Sequence, residues 1–126
     1  FEIGSNQHYY FPGTIKDENE YVEVRVLDEI FGHPNLEYPD LIKIDVQGYQ
    51  LNALKGGVVT LSKARYLVIE MSLREFYVGQ PKLWELWRFI EKNGFEMLDH
   101  GFELRSPKAP YELLQFDAIF KNINYN

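Results

Sequence analysis

Residues 41–57, LIKIDVQGYQLNALKGG, restrict what this chain can fold into more than any other stretch. Leu41, Ile42, Ile44 and Val46 form a short apolar run of the kind that a parallel strand covered on both faces requires, and Asp45 interrupts it near the carboxyl end. Gly48 permits a tight strand-to-helix turn. Leu51 and Leu54 then recur at helical spacing among good helix formers, and Gly56-Gly57 is a stop signal. In open α/β sheets, ligands bind in the crevice outside the carboxyl ends of the strands, so Asp45 marks where a functional group is expected.

The pattern downstream continues the same architecture. Residues 58–64 add a second helical segment, weakened by Val58, Val59 and Thr60. Residues 66–71, YLVIEM, are a second apolar strand with Glu70 near its carboxyl end. Strand, helix and strand make a parallel βαβ unit, which stands Asp45 and Glu70 on one rim. Pro81 is expected as the first residue of a helix whose Leu83, Leu86, Trp87 and Ile90 form one apolar stripe, and Asn93-Gly94 ends it. Residues 95–98 read as a short strand with turn residues at Asp99, His100 and Gly101, and residues 111–121 as the last strand. With no helical pattern between them, these two strands are expected to be antiparallel. The core strands are therefore placed at residues 41–46, 66–71, 95–98 and 111–121.

The opening segment reads differently. Residues 1–20 carry turn and loop chemistry and form an irregular unit ahead of residues 21–126. Within it, Tyr9-Tyr10-Phe11 is either a short strand or a surface meant to be covered. Residues 21–26 alternate Val22, Val24 and Val26 with Glu23 and Arg25, which predicts a half-exposed edge strand. Asp28 is placed to cap a short helix that Gly32, His33 and Pro34 terminate.

Composition narrows the class of function. With 126 residues the chain is at most one domain, small for an enzyme of this architecture, and its first 20 residues resemble the middle of a longer polypeptide, so a fragment is expected. The net charge is −6 and the 13 basic residues are scattered, which argues against a nucleic-acid partner. The chain has no cysteine, so disulfides and thiolate metal sites are excluded, and a cytoplasmic setting is expected. No membrane span or signal pattern is visible. The three histidines lack metal-ligand spacing and fall in segments read as loops, so no metal site is expected. There is no Ser-His-Asp order or P-loop. A strand-end aspartate also occurs in phosphoacceptor domains, but the antiparallel ending argues against that fold.

Five segments together resemble one family. They are VRVLDEI at residues 24–30, LIKIDVQGYQLNALKGG at 41–57, LVIEMSLREFYVGQP at 67–81, NGFEMLD at 93–99 and LLQFDAIF at 113–120. The chain resembles, over roughly residues 20–121, the C-terminal half of FkbM-type S-adenosylmethionine-dependent methyltransferases. The resemblance implies a Rossmann-like α/β fold with a mixed sheet, and O-methylation of a hydroxyl on a sugar or small metabolite. It also implies a cofactor site built mainly from two earlier strands, with a glycine-containing turn and an acidic ribose-binding residue. Neither is visible upstream of residue 41, so this chain alone is expected to bind S-adenosylmethionine poorly. At Gln47 and Gln50, where the family often has Glu, this chain carries amides. Their lack of charge weakens a metal-binding reading of the turn.

Methyl transfer to a hydroxyl requires alignment of two atoms and a destination for the hydroxyl proton. Asp45 is the candidate for accepting that proton or orienting the hydroxyl; its structural alternative is to cap the following helix. Glu70 either binds a second hydroxyl of the acceptor or forms a structural ion pair with Lys43. Gln47 and Gly48 sit where backbone amides can face a cofactor or acceptor, although a turn needs a glycine in any case. Tyr77 and Trp84 are candidates for a wall against a sugar ring, whereas Trp87 belongs to the core by helical phase. A non-catalytic module that keeps the methyltransferase sheet for interaction is the rival reading. If the piece folds alone, the unpaired edge at residue 41 predicts a homodimer or a cover made by residues 1–20.

Overall fold

The computed structural model describes residues 7–11 and 20–126. Its elements are α1 (Gln7–Tyr10), α2 (Leu27–Phe31), β1 (Leu41–Ile44), α3 (Gln50–Lys55), α4 (Val58–Lys63), β2 (Tyr66–Ser72), α5 (Leu83–Lys92), β3 (Phe95–Arg105) and β4 (Leu113–Asn122). The strands form one mixed sheet in the order β1-β2-β4-β3. β1 and β2 are parallel, joined by α3 and α4, and β4 runs antiparallel to both β2 and β3. The expected βαβ unit and antiparallel final pair are both present.

Strand periodicity explains the layering. Ile42 and Ile44 of β1, Leu67, Ile69 and Met71 of β2, and Ala118 and Phe120 of β4 are buried and share one core with Leu54, Leu61, Leu86 and Ile90 of the helices. One sheet face is thus covered by α3, α4 and α5. The alternate residues Lys43, Val68, Glu70, Ser72, Gln115 and Asp117 lie on the opposite face and are half-buried or exposed. Trp87 packs edge-on against Phe120 at 5.5 Å, as its helical phase requires. The buried Asn122 ties the end of β4 to the helical layer, donating to the Ala64 carbonyl at 2.9 Å.

Several local expectations are corrected. Residues 21–26 form no strand: Tyr21 and Val24 are almost fully exposed, and among the described residues no neighbouring strand supplies the ladder that alternation alone cannot replace. Asp28 does not cap its own helix, whose N-cap is Val26 without a side-chain bond. The carboxylate instead accepts from the Val59 amide (3.0 Å), the Thr60 amide (2.8 Å) and the Thr60 hydroxyl (2.7 Å), capping α4 from another element. Pro81 precedes α5 rather than opening it, because Glu85 reaches back to the Lys82 amide at 2.7 Å and starts the helix there. β3 runs past residue 98 to Arg105, taking up its extra residues in register shifts around Leu98 and Gly101, so the glycine marks a bulge rather than a turn. His100 accordingly lies within a strand, not a loop. The aromatic trio is not a strand either; Tyr10 ends α1 and is buried against Phe76 and Leu114.

Candidate functional site

The carboxyl ends of β1 and β2 converge with β4 and the loop that follows β2. β1 ends at Ile44, which leaves Asp45 just beyond the strand and half-exposed. The parallel register pairs Ile44 with Ile69, so its continuation sets Asp45 beside Glu70. Glu70 in turn pairs with Asp117 across the antiparallel ladder. Three carboxylates thus occupy one row of the sheet on its less covered face.

Each of the first two has a specific partner. Asp45 Oδ2 lies 3.9 Å from Lys43 Nζ, both side chains more than half exposed, so the contact is a weak, solvent-screened one. Glu70 accepts at Oε1 from Gln115 Nε2 at 3.1 Å, and the same nitrogen donates to Ser72 Oγ at 2.9 Å. Burial holds the Glu70 carboxyl above its usual range, reinforced by the charges of Asp45 and Asp117 and opposed by Lys43. Lys43 therefore pairs directly with Asp45, while the direct partner of Glu70 is an amide. Asp45 does not cap the following helix: the N-cap of α3 is Tyr49, with no side-chain bond.

The turn after Asp45 is tightly defined. Gln47 has φ 46° and Gly48 φ 96°, and the Tyr49 amide donates to the Val46 carbonyl at 3.2 Å. Two successive positive φ values across such a bond are the signature of a type I′ turn, and Gln47 adopts there a conformation that a non-glycine residue rarely takes. A Cβ on Gly48 would stand 3.0 Å from Tyr77 Cβ, so glycine is required for the Tyr77 loop to close onto the turn. Gln80 holds that loop: its Oε1 accepts from the Phe76 (2.8 Å) and Tyr77 (3.0 Å) amides, and its Nε2 donates to the Arg74 carbonyl at 3.1 Å. The Tyr77 phenol is pushed up to about 12, first by burial, then by the charges of Glu70 and Asp45, so it stays protonated as a donor at neutral pH.

Next to this rim, a cleft of about 160 Å³ runs between the end of β2 and the start of α5, lined by Ser72, Arg74, Gln80, Lys82 and Trp84 among others. Trp84 is largely exposed, with the Arg88 guanidinium 5.4 Å from its ring centroid. Among the described residues no cluster of His, Cys, Asp and Glu could hold a metal ion, and no helix is long and apolar enough to cross a membrane.

Asp45, Glu70, Gln47 and Gly48 are thus brought to one rim, with Tyr77 beside them and Trp84 in the adjoining cleft. Sequence reasoning missed Gln80, Gln115 and Asp117. The last two had a readable signal, because Gln115 and Asp117 are polar at i and i+2 inside an apolar strand and so share a face.

A family model for the methyltransferase FkbM domain matches residues 2–97. A relative described as "2-O-methyltransferase NoeI", from Sinorhizobium fredii (strain NBRC 101917 / NGR234), is 44% identical over 62 residues, covering 49% of this chain and 26% of the relative. The chain therefore spans about a quarter of that relative's length. No solved structure matches the chain.

Proposed function

We propose, since the chain belongs to the FkbM methyltransferase domain family, that it forms the acceptor side of an S-adenosylmethionine-dependent O-methyltransferase acting on a hydroxyl of a sugar or small metabolite. The observation that carries the reading is the exposed Asp45 at the carboxyl end of the parallel pair, beside Glu70 and the Gln47-Gly48 turn. The partial match to a 2-O-methyltransferase supports oxygen as the methylated atom.

S-Adenosylmethionine, when bound, supplies an electrophilic methyl group on a sulfonium. The described residues fit only one side of such a site. They offer carboxylates and amides for a polar acceptor, but among them no glycine-rich turn lies open, since the Cβ side of Gly48 is filled by Tyr77. Contact of this turn with the cofactor falls to the Gln47-Gly48 backbone and the exposed Gln47 side chain. The body of the cofactor is assigned to further strands of a longer Rossmann-like protein, of which this chain is a part and which joins along the outer edge of β1. The acidic, cysteine-free composition suits a cytoplasmic setting for it.

On this reading Asp45 takes the hydroxyl proton or orients the hydroxyl, and Glu70 accepts a hydrogen bond from a second hydroxyl of the acceptor. Trp84 offers an apolar face to a sugar ring in the adjoining cleft. The test is methyl transfer from isotopically labelled S-adenosylmethionine to a panel of glycans by the full-length protein and its Asp45→Asn variant. Loss of turnover by about 100-fold or more is expected. Unchanged turnover removes Asp45 from the chemistry, and no transfer by the wild type to any acceptor favours the interaction module.

A further inference from the structure

We propose that Gln115 is a positioning residue: its amide fixes the Glu70 carboxylate so that Oε2 is the oxygen offered to an acceptor hydroxyl. This role rests on the methyltransferase reading of the rim.

The geometry leaves little choice. Gln115 Nε2 has two hydrogens, and its two acceptors are Glu70 Oε1 at 3.1 Å and Ser72 Oγ at 2.9 Å. An amide with both hydrogens committed cannot rotate or flip without losing one bond and turning its oxygen toward a carboxylate. Glu70 is therefore held by Oε1, and among the described residues no hydrogen bond reaches Oε2. Ser72, which completes the clamp, also lines the cleft beside the rim, so the clamp spans rim and cleft.

Electrostatics give the clamp a second task. The titratable groups that face Glu70 are Lys43 from β1, Asp45 just beyond it, Asp117 from β4 and the neutral phenol of Tyr77 from the loop. Burial and the two aspartates favour the neutral acid, while an amide N–H donated to the carboxylate favours the ion. Gln115 and Asp117 are two positions apart on one strand, so a donor hydrogen bond from the first and the charge of the second are expected to act on Glu70 in opposite directions.

The test uses the full-length protein with Gln115→Met, which keeps length and removes the donor, and Asp117→Asn, which removes a charge and keeps the shape. For Gln115→Met, kcat/KM at neutral pH is expected to fall about tenfold, carried mainly by the acceptor KM, as expected for one hydrogen bond to a charged group. The acid limb of kcat/KM should move to higher pH in Gln115→Met and to lower pH in Asp117→Asn. Carbon-13 NMR titration of the Glu70 carboxyl without cofactor, assigned with Glu70→Gln, should show the same opposite displacements. Displacements that are absent, or in the same direction, overturn the proposal. If the NMR displacements appear but the wild type transfers no methyl group, the clamp stands as a property of Glu70 and the methyltransferase reading fails instead; the catalytic purpose of Gln115 falls with it. If Gln115→Met does not fold, Gln115→Ala, which removes the donor without adding bulk, is read by the same titration: an upward displacement of the Glu70 carboxyl is expected, and none overturns the proposal.

Discussion

Replacing Asp28 with alanine tests how the segment before β1 is fastened to the rest of the chain. The carboxylate accepts three hydrogen bonds, from the Val59 amide, the Thr60 amide and the Thr60 hydroxyl, and Thr60 is fully buried. Loss of a helix cap costs about 1 kcal/mol. Leaving the buried Thr60 hydroxyl without its acceptor adds about 1–2 kcal/mol, so the variant should lose about 2–3 kcal/mol in all. With a urea m-value of about 2 kcal/mol/M, the unfolding midpoint should fall by about 1–1.5 M. Asp28→Asn keeps one acceptor oxygen and should lose less than half as much. The pH dependence follows from sign. Burial pushes the Asp28 carboxyl up, but the bonds from the Thr60 side chain and the two amides outweigh it and hold the group below its usual value. Its stabilisation is therefore complete above the unfolded-state value of about 3.9 and is lost as pH falls through the lower folded value. The gap between wild type and Asp28→Ala should thus close in acid. A loss below about 0.5 kcal/mol at pH 7, or a gap that widens in acid, would refute the cap.

Gln50 is almost completely buried and, among the described residues, no hydrogen bond reaches its side chain, so Gln50→Leu should raise stability by about 1 kcal/mol in the same urea assay; a loss would mean that the amide has a partner, such as a bound water. Gly48→Ala places a Cβ 3.0 Å from Tyr77 in a backbone with φ 96°, and should cost about 2 kcal/mol or more by thermal melting, with no cost contradicting the turn geometry. Gln80→Ala removes three hydrogen bonds from the loop after β2, so hydrogen exchange at the Phe76 and Tyr77 amides should accelerate by about tenfold or more; unchanged protection would show the loop to be held otherwise.

The parallel unit is legible in the sequence because its signals are local and agree with one another: an apolar run, a glycine turn, a helical stripe and a second apolar run within about thirty residues. The features that sequence reasoning misplaces depend on partners far along the chain. Val22, Val24 and Val26 alternate as a strand would, yet strand formation needs a neighbouring strand, and among the described residues none reaches them. Asp28 looks like a cap and is one, but for a helix about thirty residues later, a pairing that spacing cannot reveal. Gly101 reads as a turn because a bulge and a turn use the same residue; only the long partner strand β4 distinguishes them. At the rim, Asp45 and Glu70 can be placed from their strand ends. Gln115 can be placed on the same face as Asp117, but its bond to Glu70 cannot be read from spacing, since it arrives from the last strand.

Among the described residues, β1 contributes four residues to the sheet, hydrogen-bonded on a single flank to β2, and Asp45 stands at its tip. Backbone bonds along one margin oppose lengthwise slippage better than they oppose swivelling about that seam. A polypeptide zipped onto the vacant margin would supply the second seam and fix the bearing of the carboxylate. On the proposed reading, docking further strands against this one would do more than bring in the methyl donor: it would aim the carboxylate assigned to the hydroxyl, making assembly and chemical competence a single event.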